Sequence, residues 1–98
     1  MITRIVKLTI NHSRFHEFAL VYAEAQKTII TFKGCMELNV YTDVQQPDVV
    51  FTISKWKSDS DLNHYRFSAF FKNVWTTVKP MFSAKAEAWS LKEFEQGL

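Results

Sequence analysis

Thr52, Ser54 and Trp56 fall at every second position of the run VVFTISKW, so an extended backbone carries two hydroxyls and an indole N–H on one face. A row of donors of this kind stabilises negative charge developing on a small bound molecule, provided that water is kept out. Tyr65 follows Trp56 by nine residues, within reach of a helix folding back over that face. Beside it, His64 can take a proton near neutral pH and Arg66 can hold an anion. Each residue also has a plainer role. Indoles and phenols are large apolar bodies that a small core needs, and His64 and Arg66 suit the solvent side of a helix. Phe67, Phe70 and Phe71 serve equally well as core or as pocket wall.

Other chemistries find less support. His12 and His16 stand four residues apart at a helix start without a third ligand nearby in sequence, and read as surface histidines. No Gly-rich phosphate loop is present. Cys35 is the only cysteine, which rules out an intrachain disulfide and a cysteine-based zinc site within one chain, and beside Gly34 it reads as a small packed thiol. Neither metal nor cofactor is expected.

The elements that position these residues can be read from period and punctuation. Ile2 to Asn11 alternates, with Ile2, Arg4, Val6, Leu8 and Ile10 on one face. Ser13 is placed to cap a helix whose apolar stripe Phe15, Phe18, Tyr22, Ala25 and Ile29 runs to about Thr31, and Gly34 permits the exit. A second strand spans Cys35 to Asp43, and a turn at Gln45 to Asp48 leads into the third strand, Val49 to Trp56. Ser58 and Asp61 have the spacing of a capping box, so a helix starts near Asp59; its apolar stripe runs to Pro80 as one element. Ala84 to Leu91 alternates again as a fourth strand.

The order β-α-β-β-α-β in one domain, residues 1–98, is the ferredoxin-like split βαβ arrangement of the α+β class, an antiparallel sheet with both helices on one face. Its other face would carry Ile5, Phe51 and Ile53 among Lys7, Lys55, Glu37, Asn39 and Tyr41, too apolar to stay open. A second copy of the sheet is the expected lid, making a homodimer. Hydrophobic residues form 47% of the 98-residue chain, with only two Gly and two Pro, which argues against disorder. The net charge of +2 comes from 12 basic and 10 acidic residues without a basic run, so nucleic acid is an unexpected partner. No apolar stretch approaches the roughly 20 residues of a membrane span, and the N-terminus alternates like a strand rather than a signal peptide. A soluble, cytoplasmic protein is expected.

With the FKGC turn, the SKWKSDSDLNHYRFS and FFKNVW runs and KAEAWSL in place, the sequence resembles the antibiotic biosynthesis monooxygenase family of dimeric α+β barrels. In the cofactor-independent members that act on polyketides, the resemblance implies a tryptophan at the end of the third strand, an asparagine four residues earlier and a tyrosine six residues later. Trp56 matches; Thr52 and Leu62 stand at the other two positions, and Tyr65 lies one helical turn beyond Leu62. In the haem-degrading branch the corresponding positions are Tyr65, Trp75 and Val6, which leaves no iron ligand and disfavours haem chemistry. The resemblance thus implies a cofactor-independent monooxygenase that oxidises a small phenol- or hydroquinone-type substrate with O2. Its expected catalytic residues are Trp56, Tyr65, Thr52 and Ser54, and its expected substrate-binding residues are His64, Arg66, Phe71, Trp75, Val6 and Leu8. The alternative is a non-catalytic barrel that binds a small ligand in the same pocket.

Overall fold

The alternating segments become four strands: β1 (Ile2–Thr9), β2 (Cys35–Thr42), β3 (Val49–Trp56) and β4 (Glu87–Leu91). All neighbours are antiparallel in the order β2-β3-β1-β4, the ferredoxin-like topology expected from the sequence. The chain is described here by a computed structural model covering residues 1–95; the last three residues of the expected 1–98 domain lie outside the described residues.

Register builds the site's floor. Ser54 faces Leu38 on one side and Arg4 on the other, and Arg4 in turn faces Ser90; the next row on the same face is Val40, Thr52, Val6 and Ala88. One residue out of step, the opposite face pairs Ile5 with Ile53 and Trp89, as the period-two pattern predicts. Among the described residues no helix lies over that outer face. Trp89 stands there 42% exposed, although an indole is a side chain that a small core would normally use.

Helix α1 (Phe15–Ile29) buries Phe18, Ala25 and Ile29, but Ser13 does not cap it. Asn11 caps the turn before it: its Oδ1 accepts from the Ser13 amide at 3.1 Å and the Ser13 hydroxyl at 2.8 Å, opening a single 3₁₀ turn at His12–Arg14 from which α1 continues. Between α1 and β2, Gly34 takes a φ of 85°, and the Asp61 side chain lies where a Cβ would project.

The expected single helix up to Pro80 is two. Helix α2 (Asp59–Arg66) starts at Ser58, whose Oγ accepts the Asp61 amide at 3.1 Å as the capping spacing predicts. The chain then breaks at Phe67 and Ser68, and α3 (Ala69–Val78) begins. Ser68 causes the break. Its hydroxyl donates to the Tyr65 carbonyl at 2.6 Å and accepts from the Phe71 amide at 3.1 Å, so one side chain closes the first helix and opens the second. Continuous apolar spacing across the junction hid a local competitor for the backbone.

The fourth strand is also shorter than its alternation suggests. Lys7 faces Glu87, while the Thr9 carbonyl accepts from the Ser83 amide at 2.9 Å, so the returning chain has residues to spare and Ala84 to Ala86 leave the ladder. The core forms two buried groups, one around Leu8, Phe18, Val50, Val78 and Met81, the other around Ala25, Ile29, Trp56 and Leu62. Among the described residues no helix is long and apolar enough to cross a membrane.

Removing the Ser68 cap tests the helix break. Ser68→Ala should destabilise the fold by about 1 kcal/mol, lowering the thermal midpoint by roughly 4–8 °C. An unchanged midpoint in calorimetry would show that the junction is held by packing alone.

Candidate active site

Between the sheet and the α2–α3 pair lies a cavity of about 360 Å³. Its floor is the helix-facing side of the sheet, with Thr52 and Ser54 from β3 and Arg4, Val6 and Leu8 from β1. Its roof is Tyr65, Arg66 and Phe67 at the end of α2, then Phe71, Val74 and Trp75 on α3. Leu8 and Val78 come from one core group and Ile29 and Leu62 from the other, so the cavity separates the two halves of the core. A volume of this size suits a small ring system.

Trp56 does not line it. The indole is 0% exposed at the end of β3, its ring stacked on Tyr65 with centroids 5.1 Å apart and planes 19° apart. Its Nε1–H donates to Ser54 Oγ at 2.9 Å. A buried indole N–H needs a partner, and its own strand supplies one two residues back. The indole N–H therefore acts on the cavity through Ser54, whose hydroxyl, having accepted that bond, keeps its own hydrogen to donate. Thr52 is likewise buried and lines the floor.

His64 lies outside the cavity. Successive helical residues point about 100° apart, so with Tyr65 turned inward His64 is exposed, its ring 6.4 Å from that of Phe32. Arg66 does line the cavity, its guanidinium 5.6 Å from the centre of the Phe67 ring, which is 79% exposed at the mouth. Val6, Leu8, Phe71 and Trp75 all contribute walls; Phe71 and Trp75 stack at 5.9 Å with planes 9° apart. Phe70 instead packs against Phe32 in the core, at 5.7 Å.

Of the lining residues that the sequence did not single out for the site, two bear on the chemistry of its floor. Tyr22 from α1 reaches the floor, and burial pushes its phenol up to about 12, opposed by a side-chain hydrogen bond with Thr52. Burial also raises Tyr65 well above the ordinary phenol value, with Tyr22 and Cys35 acting in the same direction. Both phenols stay protonated at neutral pH and act as donors rather than bases. Arg4 is the other. Half-buried on the floor, it donates from Nη1 to Ser90 Oγ at 2.9 Å, and its pKa is lowered first by burial and then by the like charge of Arg66. Its signal was a charge on the apolar parity of the first strand. Glu87 at the rim pairs with Lys7 at 3.7 Å.

His12 pairs with Asp48 at 3.1 Å on the surface, and among the described residues no three His, Cys, Asp or Glu side chains converge as a metal site. Burial raises the Cys35 thiol, which points to the Glu37 carbonyl.

The buried phenols predict the alkaline limit of stability. The native Tyr22 value of about 12 lies above its unfolded 10.0, so the stabilisation is complete below pH 10 and is lost as pH rises towards 12. The slope should be up to about 1.4 kcal/mol per pH unit for Tyr22, with Tyr65 adding to it. Denaturant midpoints should hold below pH 10 and then fall, less steeply in Tyr22→Phe; midpoints constant to pH 12 would contradict the burial of these hydroxyls.

Several solved structures share the fold. A conserved protein from Methanosarcina mazei superposes with a TM-score of 0.90 at 18% identity, covering 96% of this chain and 94% of its own. A structure described as an antibiotic biosynthesis monooxygenase gives 0.90 at 13% identity, with 97% and 100% coverage. A protein from Mycobacterium tuberculosis gives 0.87 at 11% identity, with 99% and 98% coverage. Identities this low speak for the fold alone. A search of curated proteins finds no match. The family model for antibiotic biosynthesis monooxygenases, in contrast, matches residues 1–75, which carry β1 to β3, the Trp56–Ser54 pair and most of the cavity roof: this chain belongs to the antibiotic biosynthesis monooxygenase family.

Proposed function

We propose that the chain is a monooxygenase acting on a small, electron-rich phenol or hydroquinone bound in the cavity, with the substrate itself as the reductant for O2. The observation that carries this reading is the cavity of about 360 Å³ with an aromatic roof and a floor of hydroxyl donors. The reaction balances without a second reductant. A phenol gains one oxygen atom as a new quinone carbonyl, loses two hydrogens, and those hydrogens leave with the other oxygen atom as water.

The protein's part is to bind and stabilise the substrate anion. Ser54 and Thr52 offer hydroxyls from the floor and Tyr65 a neutral phenol from the roof, while Arg66 adds positive charge. Trp56 acts as a positioning residue: its N–H fixes the Ser54 oxygen and leaves the hydroxyl hydrogen for the substrate. Among the described residues the cavity offers no free base at neutral pH, since its phenols are held protonated and Glu87 is paired with Lys7. The rate should accordingly follow the substrate's own ionisation, rising with pH until the phenol is deprotonated. The lack of a base is also what favours the second reading, a barrel that binds its ligand without turnover.

Oxygen-electrode assays with polycyclic phenols and hydroquinones, without added flavin, metal or nicotinamide, distinguish the two. Ser54→Ala should slow turnover by about a hundredfold, the usual cost of one donor to a developing oxyanion. Trp56→Phe should cause a smaller loss, by releasing the serine. No uptake above the uncatalysed rate across the panel would leave the binding reading.

The same proposal includes a homodimer closed through the outer sheet face, where Ile5, Ile53 and Trp89 pair across three strands. Ile53→Asp places a charge between Ile5 and Asn39, with no lysine opposite as at Phe51. Light scattering should give twice the monomer mass for the parent and a shift towards monomer for the variant; a monomeric parent at micromolar concentration would refute the dimer.

A further inference from the structure

We propose that the cavity selects an aromatic carboxylate, with the acid group held between Arg4 and Arg66 and the ring body lying along β1 beneath Phe71 and Trp75. This rests on the reading of the cavity as the substrate site and names the class of molecule that enters it. The cavity is polarised along its length. Cross-strand register sets Ser54, Arg4 and Ser90 in one row of the floor, with Arg66 lining the cavity from α2; four residues further along β1, Leu8 lines an apolar end with Trp75, Val78 and Ala86. Four strand residues span roughly 13 Å, room for a fused two-ring body behind a charged head.

The charged end lacks a partner within the chain. Among the described residues neither Arg4 nor Arg66 forms an ion pair: Arg4 is held by the Ser90 hydroxyl at 2.9 Å and Arg66 by the Asn63 side-chain oxygen at 3.4 Å, both neutral acceptors. Two guanidiniums lining one partly dry cavity are costly to hold charged: burial, and after it the like charge of Arg66, lower the Arg4 pKa. Each retains N–H donors in a planar fork that matches a carboxylate. A monoanion with an apolar body neutralises that end and fills the other in one pose. A neutral phenol would leave both arginines uncompensated.

Binding of 2-naphthoate and of the equal-sized 2-naphthamide, followed by quenching of tryptophan fluorescence or by calorimetry, isolates the charge term. Neither compound carries a phenolic hydroxyl, so the comparison is independent of turnover. The parent should prefer naphthoate by about tenfold or more, the worth of a charge-assisted hydrogen bond, and the preference should shrink as salt is raised. Arg4→Gln and Arg66→Gln should each remove most of it, and Arg4→Lys should restore part; circular dichroism checks that the variants fold, and the parent's own preference stands without them. Equal binding of acid and amide in the parent, or a preference that survives both glutamine variants, would overturn the proposal. So would tighter binding of 2-naphthyl phosphate than of naphthoate, which would assign the arginines to a different anion. A strong, arginine-dependent preference with no oxygen uptake from hydroxynaphthoates supports the carboxylate site while refuting the oxygenase reading. Oxygen uptake that is equal for hydroxynaphthoates and their amides does the reverse.

Discussion

A fully buried indole with one N–H to satisfy is the constraint on which the rest of this structure depends. Trp56 ends β3 beneath the first turns of α2, and at 0% exposure its nitrogen has no access to water. Leaving that donor without a partner would cost about 1–3 kcal/mol, a large share of the stability of a domain of this size. Ser54, two residues back on the same strand face, accepts it at 2.9 Å. From that bond the neighbouring geometry follows. The ring becomes a platform for Tyr65, the tyrosine fixes which way α2 is turned, and that turn sends His64 outward and Arg66 to the cavity.

The cavity exists because the aromatic side chains around it brace one another instead of filling it. Tyr65 meets Phe32 edge-on at 5.1 Å and Phe71 edge-on at 5.2 Å, Phe71 stacks on Trp75, and Trp75 meets Phe82 at 5.5 Å. Rings held edge to face stand up as walls, whereas flexible aliphatic chains would collapse inward. The break at Ser68 is part of the same arrangement. A straight helix from Asp59 to Val78 would carry Phe67 and Phe71 along one line; two helices place Phe67 at the mouth and Phe71 on the roof. A small domain that divides its core around a void forgoes burial it could otherwise use, which makes the sheet's uncovered apolar face the more significant.

Charge is distributed with equal economy. The surface carries ordinary short-range pairs such as Arg14 with Glu17 and Lys27 with Glu24, both exposed and of small energetic weight. The two arginines of the cavity are the exception, half-buried with neutral hydrogen-bond partners. Strand parity explains how one of them arrived there. Arg4 lies between Ile2 and Val6 on the face that must meet the helices, and no rotation of the strand exposes it without burying Lys7 in its place.

How much of this was legible in the sequence differs by level. Alternation identified all four strands and which face each residue takes, because a strand's period is fixed at two by backbone geometry. The capping spacing at Ser58 placed the start of α2, and Thr52, Ser54, Arg66, Phe71, Trp75, Val6 and Leu8 were all marked before the cavity was seen to include them. What the sequence could not decide depended on contacts between distant residues. Whether Ser68 lies within a helix or breaks it, and whether Asn11 or Ser13 holds the first helix, turns on hydroxyls and amides choosing among several nearby backbone partners. That Trp56 faces Ser54 rather than the cavity, that Tyr65 turns in and His64 out, and that Arg4 and Arg66 line one cavity were settled only when β1 and β3 paired in register and α2 was laid across them. The sequence by itself determined the strands and their faces, which follow from local period; tertiary structure alone decided which donors are satisfied by the protein and which are left facing the cavity, because hydrogen-bond partners and charge neighbours come from segments far apart in the chain.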